Sequence, residues 1–142
     1  MKNLEAQISI EIDASPAKVW TAITSPPLIK KYLFGTEVKT DWKQGSPITY
    51  EGEYEGKTYE DKGIIVKFEP CKLFQSTYWS SMSGKPDRPV NYNLVTYELI
   101  ANGKKTTVTV TQDNIASEEE KQHATKNWKK TLENLKKVVE TE

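Results

Sequence analysis

The chain has 142 residues, with 20 Lys plus Arg against 20 Asp plus Glu, so its formal net charge is zero. This excludes the long-range positive field that draws proteins onto duplex DNA or anionic membranes, and nucleic acid is not expected as a partner. A hydrophobic content of 36% with four Trp, seven Tyr and three Phe excludes a disordered chain, and a chain of this length buries about two thirds of its unfolded surface, enough for one core and not two.

From Leu4 to Ile12 apolar and polar residues alternate with period two, which predicts a half-buried strand. The same N-terminal segment is broken by acids, and no run approaches the eighteen or so apolar residues of a membrane span, so the chain reads as cytoplasmic, without signal peptide or membrane insertion. Ser15 as N-cap and Pro16 at the first helical position open a short helix to about Thr24. Pro26-Pro27 ends it, and Leu28 to Leu33 supplies one more helical turn.

Six strands follow, separated by turn residues: Glu37–Trp42, Pro47–Tyr54, Thr58–Phe68, Leu73–Ser80, Tyr92–Ala101 and Lys105–Asp113. Asn102-Gly103 predicts a two-residue hairpin turn with positive φ at both of these residues. Ser117-Glu118-Glu119-Glu120 is a capping box that starts a long helix. Along it Ala124, Trp128, Leu132, Leu135, Val138 and Val139 form one apolar stripe, with lysines and glutamates opposite. Neither repeats nor a linker appear, so residues 1–142 read as one domain.

A strongly twisted sheet wrapped round one such helix leaves space between them, because a single apolar stripe cannot fill a wide concave face. Aromatic residues of consistent parity are candidates to line it. Ile48, Tyr50 and Tyr54 share one strand face, Phe68 stands with Ile64 and Val66, and Phe74 with Tyr78, or alternatively Trp79, follows on the next strand. Tyr97 lies on the penultimate strand, and Trp128 and Thr131 lie near the middle of the helix stripe. Tyrosines in such a wall give an apolar surface with a few polar handles, suited to an amphipathic small molecule.

Chemistry has fewer candidates. Cys71 is the sole cysteine and His123 the sole histidine, so neither an internal disulfide nor a zinc set can be assembled; no metal or cofactor is expected. His123 reads as a surface helix residue and Cys71 as an inert turn residue. Glu51, Glu53 and Glu55 alternate with Tyr50, Gly52 and Tyr54 and read as a wet strand face, so parity places no acid inside.

Several segments occur in an ordered series: Ser15-Pro16-Ala17-Lys18-Val19-Trp20 with Ala22-Ile23-Thr24 and Pro26-Pro27-Leu28; Gly63 to Pro70 with Cys71-Lys72-Leu73; Thr96-Tyr97-Glu98-Leu99; and Asn127-Trp128 to Leu135. Their order and spacing resemble the activator of heat-shock-protein-90 ATPase homologue-like family. That family sits in the helix-grip superfamily with the START lipid-transfer domains, the birch-pollen-allergen-like proteins and the polyketide cyclases. The resemblance implies an α+β helix-grip fold: a curved seven-stranded antiparallel sheet around a long C-terminal helix, with two short helices after the first strand. It places Tyr32 and Trp42 near the cavity mouth as gate residues.

Two departures stand out. The segment Ser81 to Asn91 is long, polar and proline-containing, a loop that could cover the mouth, and Asn127 replaces a customary glycine and is expected to crowd, or donate into, the space beneath the helix. The favoured function is a binding protein for a hydrophobic or amphipathic, lipid-like or aromatic, small molecule. A co-chaperone-like ATPase activator with a chaperone partner ranks below it, as does a cyclase- or hydrolase-type enzyme, which would need an inward acid. An exposed strand edge allows a monomer or a homodimer.

Overall fold

A computed structural model describes residues 4–33, 35–81 and 84–141, with the backbone alone for Tyr54. In chain order the elements are β1 (Leu4–Ile12), α1 (Pro16–Thr24), α2 (Pro26–Tyr32), β2 (Glu37–Lys39), β3 (Pro47–Tyr54), β4 (Lys57–Glu69), β5 (Leu73–Ser80), β6 (Asn93–Asn102), β7 (Lys105–Ile115) and α3 (Glu118–Thr141). The strands form one seven-stranded antiparallel sheet in the order β1-β7-β6-β5-β4-β3-β2. β1 and β2 therefore occupy opposite edges, and α1 with α2 carries the chain between them. This is the helix-grip fold.

The alternation of β1 buries Ala6 and Ile12 while Glu5, Gln7 and Glu11 face water. Ser15 accepts the Lys18 amide at 3.3 Å and caps α1, whose Val19, Trp20, Ala22 and Ile23 are buried. α2 begins at Pro26, earlier than the sequence suggests, because prolines fit a first helical turn where their missing amide would have no partner. α3 sets Thr131, Leu132, Leu135 and Val139 against β1, with further contacts to α1, α2 and β7. Burying each such leucine removes apolar surface worth about 2 kcal/mol from water. Ser117 accepts the Glu120 amide at 3.1 Å, but the Glu120 carboxylate returns to the Ala116 amide at 3.3 Å, one residue earlier than a strict capping box. Asn127 and His123 are exposed, so Asn127 neither crowds nor donates into the space beneath the helix.

Three local departures have clear causes. β2 stops at Lys39, short of the expected Trp42, because Trp42 has φ +60 and the Thr40 hydroxyl turns to donate to the Pro47 carbonyl at 2.9 Å. Asn102 pairs with Lys105, so the central residues of that hairpin turn are Gly103, at φ +65, and Lys104, one residue later than expected. Glycine at the first central position is the signature of a type II′ turn. The turn with two positive φ values is instead Glu55-Gly56, at +50 and +78.

The third departure decides the interior. In β4 the residues Asp61, Gly63 and Ile65 are buried, while Ile64 and Val66 are 51% and 36% exposed on the outer face. An irregularity between Ile65 and Lys67 in the pairing with β5 inserts one residue, which returns Phe68 to the inner face. Ile64 and Val66 are therefore not companions of Phe68. Gly63 makes this approach possible, since a Cβ there would lie 1.7 Å from the Thr77 carbonyl oxygen.

Candidate functional site

The concave face is covered in two parts. α3 lies over the β1 side; α1, against β6 and β7, and α2, against the β2 edge, make the second cover. A cavity of about 20 Å³ remains under the second cover, room for roughly one water. Its roof is Ile23, Ile29, Tyr32 and Leu33; its walls are Val38 and Trp42, then Ile48 and Tyr50 of β3, Phe74 of β5 and Tyr97 of β6. No residue of α3 lines it, so this space lies under the short helices, whereas the sequence suggested one between the sheet and the C-terminal helix.

The interior is filled by aromatic rings in sequence. Trp20 meets Phe68 edge-on at 5.2 Å between centroids, Trp42 lies 6.3 Å from Phe68 and 5.9 Å from Phe74, and Phe74 lies 6.0 Å from Tyr97. Tyr97 then meets Trp128 edge-on at 5.7 Å, and the Trp128 indole donates to Gln112 Oε1 at 2.7 Å. Tyr50 and Tyr78 form a further T-shaped pair at 5.8 Å. Such pairs add about 0.5–1.5 kcal/mol each beyond their burial. Trp42 holds this position at φ +60, a left-handed backbone costing a bulky residue about 1–2 kcal/mol. The Asp41 carboxylate accepts the Lys43 amide at 3.2 Å and fixes the bend.

Four tyrosine hydroxyls gather at this end of the interior. Tyr78 donates to the Asp61 carboxylate, whose other oxygen accepts the Ser81 amide at 3.3 Å. Ser80 donates to Tyr78, and Ser76 donates to Tyr50. Tyr32 and Tyr97 are 2% and 7% exposed, both line the cavity, and among the described residues neither hydroxyl has a hydrogen-bond partner. Burial, reinforced by repulsion among the hydroxyls and from Asp61, raises the pKa of all four. Burial pushes Tyr50 up to about 12. Burial, then repulsion from Tyr50, raises Tyr32, and Tyr78 and Tyr97 are held well above the ordinary phenol value. The four are neutral at physiological pH.

Of the residues nominated from sequence, Tyr32, Trp42, Tyr50 and Tyr97 line the cavity, and Phe68 and Tyr78 pack behind it. Trp128 and Thr131 belong to α3 and do not line it, although Trp128 packs edge-on against the lining Tyr97. Trp79 points to the outer face, where it stacks on Tyr92 at 6.4 Å under the Lys62 ammonium, so of the two alternatives on β5 it is Tyr78 that faces inward. The Tyr54 side chain lies outside the described residues.

The loop after β5 does not cover the cavity. The Trp79 indole donates to the Lys85 carbonyl at 3.1 Å, Lys62 pairs with Asp87 at 2.6 Å, and the loop is thereby held on the outer face; Met82 and Ser83 lie outside the described residues. Sequence reasoning missed Asp61, a buried inward acid 7% exposed, because counting parity along β4 cannot reveal the inserted residue that reverses it. Among the described residues no cluster of three His, Cys, Asp or Glu is placed to hold a metal, and no helix is long and apolar enough to cross a membrane.

Residues 13–140 match the protein family described as Activator of Hsp90 ATPase homolog 1-like protein. The chain belongs to this family. Among solved structures, this Activator of Hsp90 ATPase homolog 1-like chain is similar to ChR145 from Cytophaga hutchinsonii, with 46% identity and a TM-score of 0.86 over 99% of this chain and 97% of that one. MLL2253 from Mesorhizobium loti, 18% identical, shares the fold with a TM-score of 0.80 over 97% and 98% of the two chains. The Aha1 dimer from Colwellia psychrerythraea, 20% identical, shares it with a TM-score of 0.76 over 96% of each. No curated protein matches the sequence.

Proposed function

We propose that the chain binds a small amphipathic molecule with a planar apolar body, taken into the space under α1 and α2. One observation carries this reading: an aromatic wall in which the Tyr32 and Tyr97 hydroxyls, without a hydrogen-bond partner among the described residues, face a common cavity. Among the described residues no fully buried polar side-chain atom lacks a partner, so these two hydroxyls keep a small opening onto the cavity, where a water or a polar group of a ligand can bond them. A ligand offering a polar group would take over that bond.

The cavity at about 20 Å³ is too small for such a ligand, so side chains must move. Trp42 is the gate. It is partly buried, it closes one wall against Phe68 and Phe74, and its φ of +60 gives up strain when the backbone turns as the indole leaves. The ligand then takes the place of the indole against the two phenylalanines.

Asp61 gives acid–base catalysis the inward acid it needs, yet both of its oxygens are engaged, by Tyr78 and Ser81, and it does not line the cavity. Binding therefore stands first. Native mass spectrometry of protein purified from its own host, followed by amide NMR mapping of an aromatic and lipid library, tests the reading. A released small molecule, or shifts centred on Ile29, Tyr32, Trp42 and Tyr97, is expected. A bare chain with no uptake would overturn the proposal and move a protein partner, such as the chaperone named in the family description, to first place.

A further inference from the structure

The same site constrains the charge of what it accepts. A phenol is a stronger hydrogen-bond donor than acceptor, so the complement of the free Tyr32 and Tyr97 hydroxyls is an acceptor oxygen. No cavity-lining residue carries a positive charge. Behind the wall stands the Asp61 carboxylate, reached through Tyr78, whose ring packs on Tyr50. A carboxylate entering here would lose its hydration without a counter-charge and would face the like charge of Asp61. A neutral carbonyl oxygen has far less hydration to lose and gains two donors.

We infer that Tyr32 and Tyr97 form a paired-donor subsite for the neutral carbonyl oxygen of a planar apolar ligand, a ketone, ester or amide, and that the site rejects a carboxylate of the same shape. This rests on the binding reading above and adds to it a chemical class and two specificity-determining residues.

Three naphthalene probes of one shape separate the two levels: 2-acetylnaphthalene, 2-ethylnaphthalene and 2-naphthoate, each titrated into the protein at pH 7.5 with amide shifts as readout. The ketone is expected to bind about tenfold or more tighter than the hydrocarbon, from two net hydrogen bonds, and about a hundredfold or more tighter than the carboxylate. Tyr32→Phe and Tyr97→Phe should each reduce the preference for the ketone over the hydrocarbon about fivefold, while ethylnaphthalene affinity stays within about twofold. Because neither hydroxyl bonds another of the described residues, both variants keep the native thermal transition. Equal binding of ketone and hydrocarbon, or tightest binding of naphthoate, would refute the paired-donor subsite and leave the cavity reading standing. Failure of all three probes to bind would refute both.

Discussion

Raising the pH above 10 attacks the tyrosine cluster directly. An unfolded chain releases its phenolic protons near pH 10, whereas burial holds Tyr32, Tyr50, Tyr78 and Tyr97 protonated to higher pH in the native state, Tyr50 to about 12. The unfolded state then binds fewer protons than the native one, so stability falls as pH rises. It is fully present below pH 10 and drains away above it. Each tyrosine subtracts up to about 1.4 kcal/mol per pH unit, and the four together about 5 kcal/mol per unit, against a total stability of about 5–15 kcal/mol for a domain. Cooperative unfolding is therefore expected between about pH 11 and 12. Tyrosinate absorbance at 295 nm, recorded with near-UV circular dichroism from pH 8 to 12.5, should show these tyrosines ionising only as the native dichroism is lost. Tyr97→Phe should lower the steepness by about a quarter, since it removes one of four linked protons. The reasoning is refuted if the absorbance of all seven tyrosines develops around pH 10 with the near-UV spectrum intact.

Tyr78→Phe removes the donor to a buried carboxylate and should cost about 2 kcal/mol, or about 6 °C in Tm for a chain of 142 residues, in contrast to the unchanged Tm of Tyr97→Phe; equal melting of the two would contradict the hydrogen-bond assignment. Gly63→Ala places a methyl group against the Thr77 carbonyl and should cost about 3 kcal/mol or more by urea denaturation, a loss below about 1 kcal/mol showing that β4 and β5 separate freely there. Glu55→Asn, at φ +50 in the β3–β4 turn, should raise stability by about 0.5–1 kcal/mol, and a loss of stability would argue against a type I′ turn at this position.

Where one physical signal dominates, sequence and structure agree. The alternation of Leu4–Ile12, the stripe of α3 and the cap at Ser117 each rest on a local pattern that tertiary packing has no reason to override. The strands between residues 47 and 115 lie within one or two residues of their expected bounds for the same reason. The interior was harder to read because it depends on parity, and parity depends on an unbroken ladder. One inserted residue after Ile65 sends Ile64 and Val66 outward, keeps Phe68 inward and brings Asp61 into the tyrosine cluster. Similarly, no periodicity reports that two helices of nine and seven residues, and not α3, roof the remaining space. That follows from the path the chain takes from β1 to the far edge of the sheet.

That path also orders the assembly of the molecule. From β2 to β7 every strand pairs with the next one in sequence, so this part of the sheet can grow hairpin by hairpin with short closures. β1 alone closes across about a hundred residues, as in the contact between Gln7 and Thr111 with a separation of 104. α1 follows β1 directly and packs on β6 and β7 beside it, so part of the roof of the cavity depends on the one closure of high sequence separation. Amides of α1 and α2 should exchange with solvent together with those of β1, ahead of the β6–β7 hairpin, in a partial opening that exposes the aromatic wall while the rest of the sheet stays folded.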